Sequence, residues 1–195
     1  MQSTFNRRAV VAGASVLAVG FAGSRFSAVA AQGHQMDSDA TRTLQGTFYR
    51  LWSEHMQYTY ETVDAFFHDQ DALQPYLDRL LFNQQEIGDA FKPYYGDEAG
   101  QRIADLLTVH IQLAVPVLEA AQAGDDQALT AALDDWYANA EENGLALSEL
   151  NPDNWPPDVF KDFLRMHIDQ TVVYATDLMK KDYASAIASY DVAHG

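Results

Sequence analysis

The stretch FKDFLRMHIDQTVVYATDL, residues 160–178, decides the fold. Phe160, Leu164, His167, Thr171, Tyr174 and Leu178 recur at steps of four and three, which places their side chains on one face of an α-helix. The same stepping links Leu44, Phe48, Leu51, His55, Tyr58 and Thr62, and again Ile103, Leu106, His110, Leu113 and Val117. Leu73, Leu77, Leu80, Gln84, Ile87 and Phe91 form another such stripe, and Leu129, Leu133, Trp136 and Ala140 a shorter one. A last, short stripe joins Tyr183, Ile187, Tyr190 and His194. His55, His110, His167 and His194 therefore stand where a helical bundle would ordinarily carry Leu or Ile. No alternating Val/Ile/Thr run signals a strand. The expected fold is all-α: an antiparallel up-and-down bundle of four main helices with short extra helices and an imidazole-bearing interior.

Local signals punctuate the helices. They are expected over about residues 41–67, 72–94, 97–123, 125–143, 158–181 and 182–193. Pro75 falls in a first turn, where a missing N–H costs little, and Pro116 lies inside a helix, where a kink is expected. Pro93 to Gly96 reads as a helix end with Gly96 at C′, and Asp97 as the next N-cap. Gly124 and Asp125 repeat that stop and start, and Asn143-Gly144 reads as the end of the fourth helix. The irregular segment that follows contains Pro156-Pro157, which suits the first turn of a new helix, and Trp155 is expected to plug the bundle end.

The first residues read as an export signal. Arg7-Arg8 precede a weakly apolar run from Ala9 to Ala22, and the small residues Ser27 to Ala31 follow. Paired arginines with low hydrophobicity resemble a twin-arginine signal, and the run is too short to span a membrane. The expected organisation is a signal peptide over residues 1–31, a flexible leader over 32–40 holding His34, and one domain over 41–195. The expected location is extracytoplasmic: secreted, periplasmic or in the cell envelope. Removal of the signal leaves nine basic and 28 acidic residues, a net charge of −19. That balance argues against nucleic acid or anionic lipid as a partner, and no stable membrane insertion is expected after cleavage. The chain has no cysteine, which excludes thiolate metal sites, cysteine nucleophiles and disulfides.

Catalytic motifs are absent. There is no His-Glu-x-x-His, no Gly-x-Ser-x-Gly, no phosphate loop and no dinucleotide fingerprint. The paired Glu-x-x-His segments of a di-iron bundle are approximated once, as Asp191-x-x-His194. Glu54 and His55 are adjacent, so on a helix they point about 100° apart and do not face each other. What remains is a set of imidazoles beside carboxylates and amides. His55, Glu86, His110, His167, Asp191 and His194 are the candidate metal ligands, with zinc, copper or iron the candidate ions. Asn83, Gln84 and Tyr58 are the candidate contacts to a small ligand.

Leu51-Trp52-x-x-His55, Asn83-Gln84-x-x-Ile87-Gly88, Pro93-Tyr94-Tyr95-Gly96, Leu106-Leu107-x-x-His110-Ile111, Trp136-Tyr137-x-Asn139-Ala140 and Asn154-Trp155-Pro156 together resemble a group of poorly characterised exported bacterial helical proteins. The likeness runs from about Leu51 to His194. It implies a helical exported domain and supplies no activity. Some members carry an automatic glycosyltransferase label, but a nucleotide-sugar enzyme needs an α/β nucleotide-binding unit, and this chain has no strand pattern to build one.

The favoured expectation is a metal- or small-ligand-binding module. The alternative is a structural or protein-interaction bundle whose buried histidines form a hydrogen-bond network. An acid–base enzyme using His55 or His167 is a third reading. Exported protein should begin at Ala31 or Gln32, which N-terminal sequencing checks. Replacing Arg7 and Arg8 together by Lys should block export, and undiminished export would show that the paired arginines are not the signal.

Overall fold

The computed structural model describes residues 38–153 and 155–194. The export-signal residues, His34 and most of the leader lie outside the described residues. Six helices and no strand make up the described chain: α1 Ser38–His68, α2 Gln70–Tyr95, α3 Asp97–Ala123, α4 Asp126–Leu150, α5 Pro157–Met179 and α6 Tyr183–His194. Each helix packs on the next, and α5 packs back on α1, so the five long helices close a ring. Helix α6 folds back along α5 and touches α1. This is the up-and-down bundle that the stripes imply, but with five long helices among the described residues in place of the four main ones expected, because the fourth helix runs on to Leu150.

The helix ends follow from short-range chemistry. Asp69 caps α2 by accepting from the Ala72 N–H, and Asp125 caps α4 by accepting from the Ala128 N–H at 2.9 Å. Gly124 ends α3 in the left-handed region at φ 66°, where a side chain would be strained. Asp97 is not an N-cap: the α2–α3 turn is so tight that Gly96 serves both helices and Asp97 lies in the first turn of α3, where its charge still suits the helix dipole. Pro157 opens α5, and α3 continues unbroken through Pro116.

Helix α4 does not stop at Asn143-Gly144; it runs on to Leu150. Both residues have tertiary reasons to sit in mid-helix. The Asn143 amide is buried and donates to the Asn139 carbonyl at 3.0 Å and the Leu106 carbonyl at 3.4 Å. A Cβ at Gly144 would lie 3.2 Å from the Lys161 backbone nitrogen, so the glycine lets α4 and α5 approach closely. Burial overrides the local stop signal.

The core has three parts. At one end Leu44, Phe48, Leu51, Ile87, Phe91, Ile103 and Leu107 pack around Trp155, whose ring also meets Tyr95 and Phe160 and closes that end of the ring. At the other end Val63, Leu118, Tyr174, Leu178 and Ala186 form a second cluster. Val117, Ala132, Trp136, Ala140 and Ile168 form the third, between α3, α4 and α5. Helix α3 is long and apolar enough by composition to cross a membrane, with a mean hydropathy of 1.5 over its most apolar window. That character has a local cause, because α3 buries one flank against α2 and another against α4.

The last stripe departs from expectation. Tyr183 is 45% exposed and Ile187 55% exposed, and among the α6 residues only Ala186 is fully buried. Helix α6 thus lies on the bundle rather than in it, and His194 is exposed, with its ring stacked on Tyr190.

The α2–α3 contact is backbone to backbone. A Cβ placed on Gly88 would lie 2.5 Å from the Gly100 carbonyl oxygen and 2.6 Å from the Ala104 Cβ. Gly88→Ala should therefore destabilise the fold by about 1–3 kcal/mol, as overpacking in a closed core does. Gly46→Ala, where a Cβ meets nothing within 4 Å, should instead stabilise by about 0.5–1 kcal/mol. Urea denaturation of the two variants checks the contrast, and equal stabilities would refute the close-approach argument.

Candidate functional site

Three of the four stripe histidines meet at the centre of the ring. His55 from α1 and His167 from α5 have ring centroids 6.0 Å apart, and His110 from α3 stacks on His167 at 6.1 Å. His55 and His110 are buried, and His167 is partly buried. Trp136 from α4 packs over His110 at 5.2 Å, and Trp52 meets His55 edge-on at 5.5 Å. Four different helices thus supply the rings, which is why no local sequence window contains the cluster.

The imidazoles border a partly open cavity of about 300 Å³. Its walls are mostly apolar, with Val63 and Phe66 from α1, Leu73, Leu77 and Leu80 from α2, and Ile111, Ala114, Val115 and Leu118 from α3. Thr59, Thr62 and Thr171 add hydroxyls, and Trp136 closes the α4 side. Gln70 and Glu119 line the cavity too and are exposed at its rim. The turn between α1 and α2 lies at this end of the ring, opposite the Trp155 plug.

Burial decides the charge state. Taking an imidazolium out of water is costly, so burial pulls the pKa of His55 and of His110 down to about 3, and that of His167 down to about 4. Repulsion from His167 lowers the first two further, and His110 also acts on His55. All three rings are neutral at pH 7.

His110 is held by a relay of amides. Its Nδ1 lies 3.0 Å from Asn139 Oδ1, and the Asn139 amide nitrogen donates to the Leu106 carbonyl at 3.2 Å. Asn143 Nδ2 also donates to Asn139 Oδ1, at 3.1 Å. An amide oxygen only accepts, so the network assigns the proton of neutral His110 to Nδ1 and leaves the Nε2 lone pair free to act as acceptor. Thr59 and Thr171 donate to the carbonyls of His55 and His167, one turn earlier on their own helices.

Other polar atoms of the cavity residues are buried without a hydrogen bond: His55 Nδ1, Thr62 Oγ1 and Trp136 Nε1. The Gln84 amide is close enough to raise the His55 pKa slightly against the effect of burial, yet neither Gln84 Oε1 nor His55 Nδ1 meets a partner in good geometry.

The remaining expected site residues are placed elsewhere. Glu86 pairs with Arg79 at 2.9 Å, and Arg79 also pairs with Glu54 and lies over the Tyr58 ring at 4.7 Å. Tyr58 and Glu86 thus belong to an Arg79-centred cluster between α1 and α2. Asn83 is fully buried and donates to the Leu51 carbonyl at 3.1 Å, while Gln84 donates to the Leu80 carbonyl at 2.7 Å. Asn83 thus ties α2 to α1, whereas Gln84 bonds back to its own helix, and neither is among the residues that line the cavity. Asp191 and His194 are exposed on α6. Among the described residues, no three His, Asp or Glu side chains are grouped so that they could hold a metal ion. The six-ligand set is therefore not assembled; only its three central histidines come together.

Sequence reasoning missed Asn139 and Asn143, the residues that orient His110. Trp136, Asn139, Ala140, Asn143 and Leu147 continue the α4 stripe by threes and fours, a signal hidden by ending that helix at Asn143. No family model matches this chain, and neither a curated protein nor a solved structure matches it.

The neutral rings set a pH dependence. The imidazole pKa is about 6.5 in the unfolded chain, whereas it is about 3 to 4 in the folded protein. Their contribution is fully present above 6.5 and is lost as pH falls toward the folded values, because the unfolded chain binds protons that the native state refuses. Between pH 6.5 and 5, above the ordinary carboxylate range, stability should fall by about 1.4 kcal/mol per pH unit for each histidine once it is charged in the unfolded chain. Denaturant titrations across that window check this, with His55→Gln expected to flatten the slope. A stability independent of pH from 7 to 5 would show that the rings are not buried as neutral groups.

Proposed function

We propose that this protein is a binding module that holds a small molecule in the cavity inside its five-helix ring. The observation that carries the reading is the convergence of all five long helices on one mostly apolar cavity, with three neutral imidazoles and an indole on its wall. Cavities of this kind, apolar with a few polar groups fixing orientation, are what small-ligand sites generally look like. The uneven satisfaction of the polar atoms favours this reading over a purely structural one. His110 is held by its amide relay, whereas His55 has only Gln84 beside it and its Nδ1 makes no hydrogen bond of good geometry. The twin-arginine-like N-terminus adds a consistent expectation, export in folded form, so that a ligand could be carried across the membrane inside the bundle.

A transition metal bound by His55, His110 and His167 is the second reading. Three neutral imidazoles brought together from three helices favour it, and zinc, copper and iron all accept imidazole nitrogen. Rearrangement of the rings is needed, since they are not grouped as ligands.

Millimolar benzene or phenol should raise the melting temperature of the purified protein, because a ligand that binds only the folded state stabilises it by mass action. Ala114→Leu, which adds bulk to the cavity wall, should abolish the shift while the protein still melts cooperatively. No shift with either compound would overturn the organic-ligand reading. Stoichiometric zinc, copper or iron on elemental analysis, with a chelator-induced drop in melting temperature that disappears in His110→Ala, would replace it with the metal reading.

A further inference from the structure

We infer that the cavity is built for an uncharged, mainly apolar small molecule that carries a hydroxyl group. The inference rests on the binding reading above and narrows its ligand class. Three features of the cavity carry it.

The first is the wall itself. Leucine, isoleucine, valine and phenylalanine side chains from α1, α2 and α3 surround the space, so the body of the ligand is apolar.

The second is the absence of a compensating charge. Among the residues that line the cavity, Glu119 is the one with an ordinarily charged side chain, and it sits exposed at the rim. No lysine or arginine lines the space, so a carboxylate or phosphate would be buried without a counter-charge. The acidic surface, on a chain with 28 acidic and 12 basic residues, repels anions further. An ammonium group would meet a rim carboxylate but no anion within the cavity.

The third is the pairing of polar atoms. The amide relay behind His110 puts its proton on Nδ1 and leaves Nε2 as an acceptor. Trp136, whose ring packs on His110 at 5.2 Å, has a buried indole N–H with no partner, and an indole N–H only donates. The Thr62 hydroxyl, also without a partner, does either. One acceptor and one donor on adjacent rings complement a single group that both donates and accepts. A hydroxyl does this; an ether or ketone oxygen accepts only, and a hydrocarbon does neither. Buried polar atoms left unpaired are costly, so a ligand hydroxyl that meets them gains more than the same group would in a wholly apolar cavity.

Isothermal titration of the purified protein with phenol, benzene and benzoate tests the assignment. Phenol should bind about tenfold tighter than benzene, the order of one net hydrogen bond, and benzoate should not bind measurably. A wholly apolar cavity gives the reverse order, because phenol must then shed the hydration of its hydroxyl. Trp136→Phe should bring phenol and benzene to within about threefold, and Thr62→Val serves as a second variant if that protein fails to fold. Benzene binding as tightly as phenol, or tight binding of benzoate, would overturn the hydroxyl assignment and leave the binding reading standing. Failure of all three compounds would overturn the binding reading itself.

Discussion

The hydrogen bond from His110 Nδ1 to Asn139 Oδ1 is the interaction around which the interior of the bundle is arranged. It crosses from α3 to α4 in a place where water cannot compete, so its two partners must find each other or each be left costly. Asn139 reaches on to the Leu106 carbonyl, and Asn143 braces Asn139 from one turn further along α4. The brace holds Asn143 in the body of α4, and the next residue, Gly144, lets that helix approach α5 closely. The tautomer of one imidazole and a cross-link between α3 and α4 thus rest on a single buried polar contact. His110, once fixed, sets the plane on which His167 stacks and against which Trp136 packs.

Neutrality is the second constraint. Three imidazoles so close together could not all be charged in an apolar setting, because each would bear a desolvation penalty as well as the repulsion of its neighbours. The ring of helices can hold them only as uncharged groups. Uncharged imidazoles are at once adequate packing material, hydrogen-bonding groups and potential metal ligands. Packing therefore explains how they are tolerated but not why they are there, since leucine would fill the same positions without any polar atoms to satisfy.

Much of the bundle was legible in the chain because apolar periodicity is a one-dimensional record of a helix face. The stripes through Leu51, Ile87, Ile103 and Phe160 became the core, and His55, His110 and His167 lay on them. The site was legible only in part. Which histidines meet depends on the order in which the helices close into a ring, and stripe spacing does not encode that order. His194 lies on a stripe of the same form, but α6 rests on the outside of the bundle, where Tyr183 and Ile187 stay exposed. Glu86 and Tyr58 were drawn away by Arg79, an attraction that acts between α1 and α2 and leaves no trace in the periodicity of either helix. Asn143-Gly144 was misleading for a further reason: a local stop signal and a close helix contact use the same residues.

The cavity itself asks for an explanation beyond folding. In protein cores, empty volume destabilises by about 24 cal/mol per Å³ when it is closed, so even a partly open hollow of about 300 Å³ represents packing forgone. The residues that keep it open are small or polar: Thr59, Thr62, Ala114, Val115 and Thr171, on α1, α3 and α5. Larger apolar residues at these positions would fill the space and add stability without altering a helix end or a turn. Cavity filling of that kind is among the commonest routes to a more stable protein, and its recurrent cost is lost function where the open space is used. The wide Trp155 plug shows that the bundle closes one of its ends with large aromatic rings. At the other end the same architecture stops short of closure, around a cavity that three neutral imidazoles, an indole and threonine hydroxyls border.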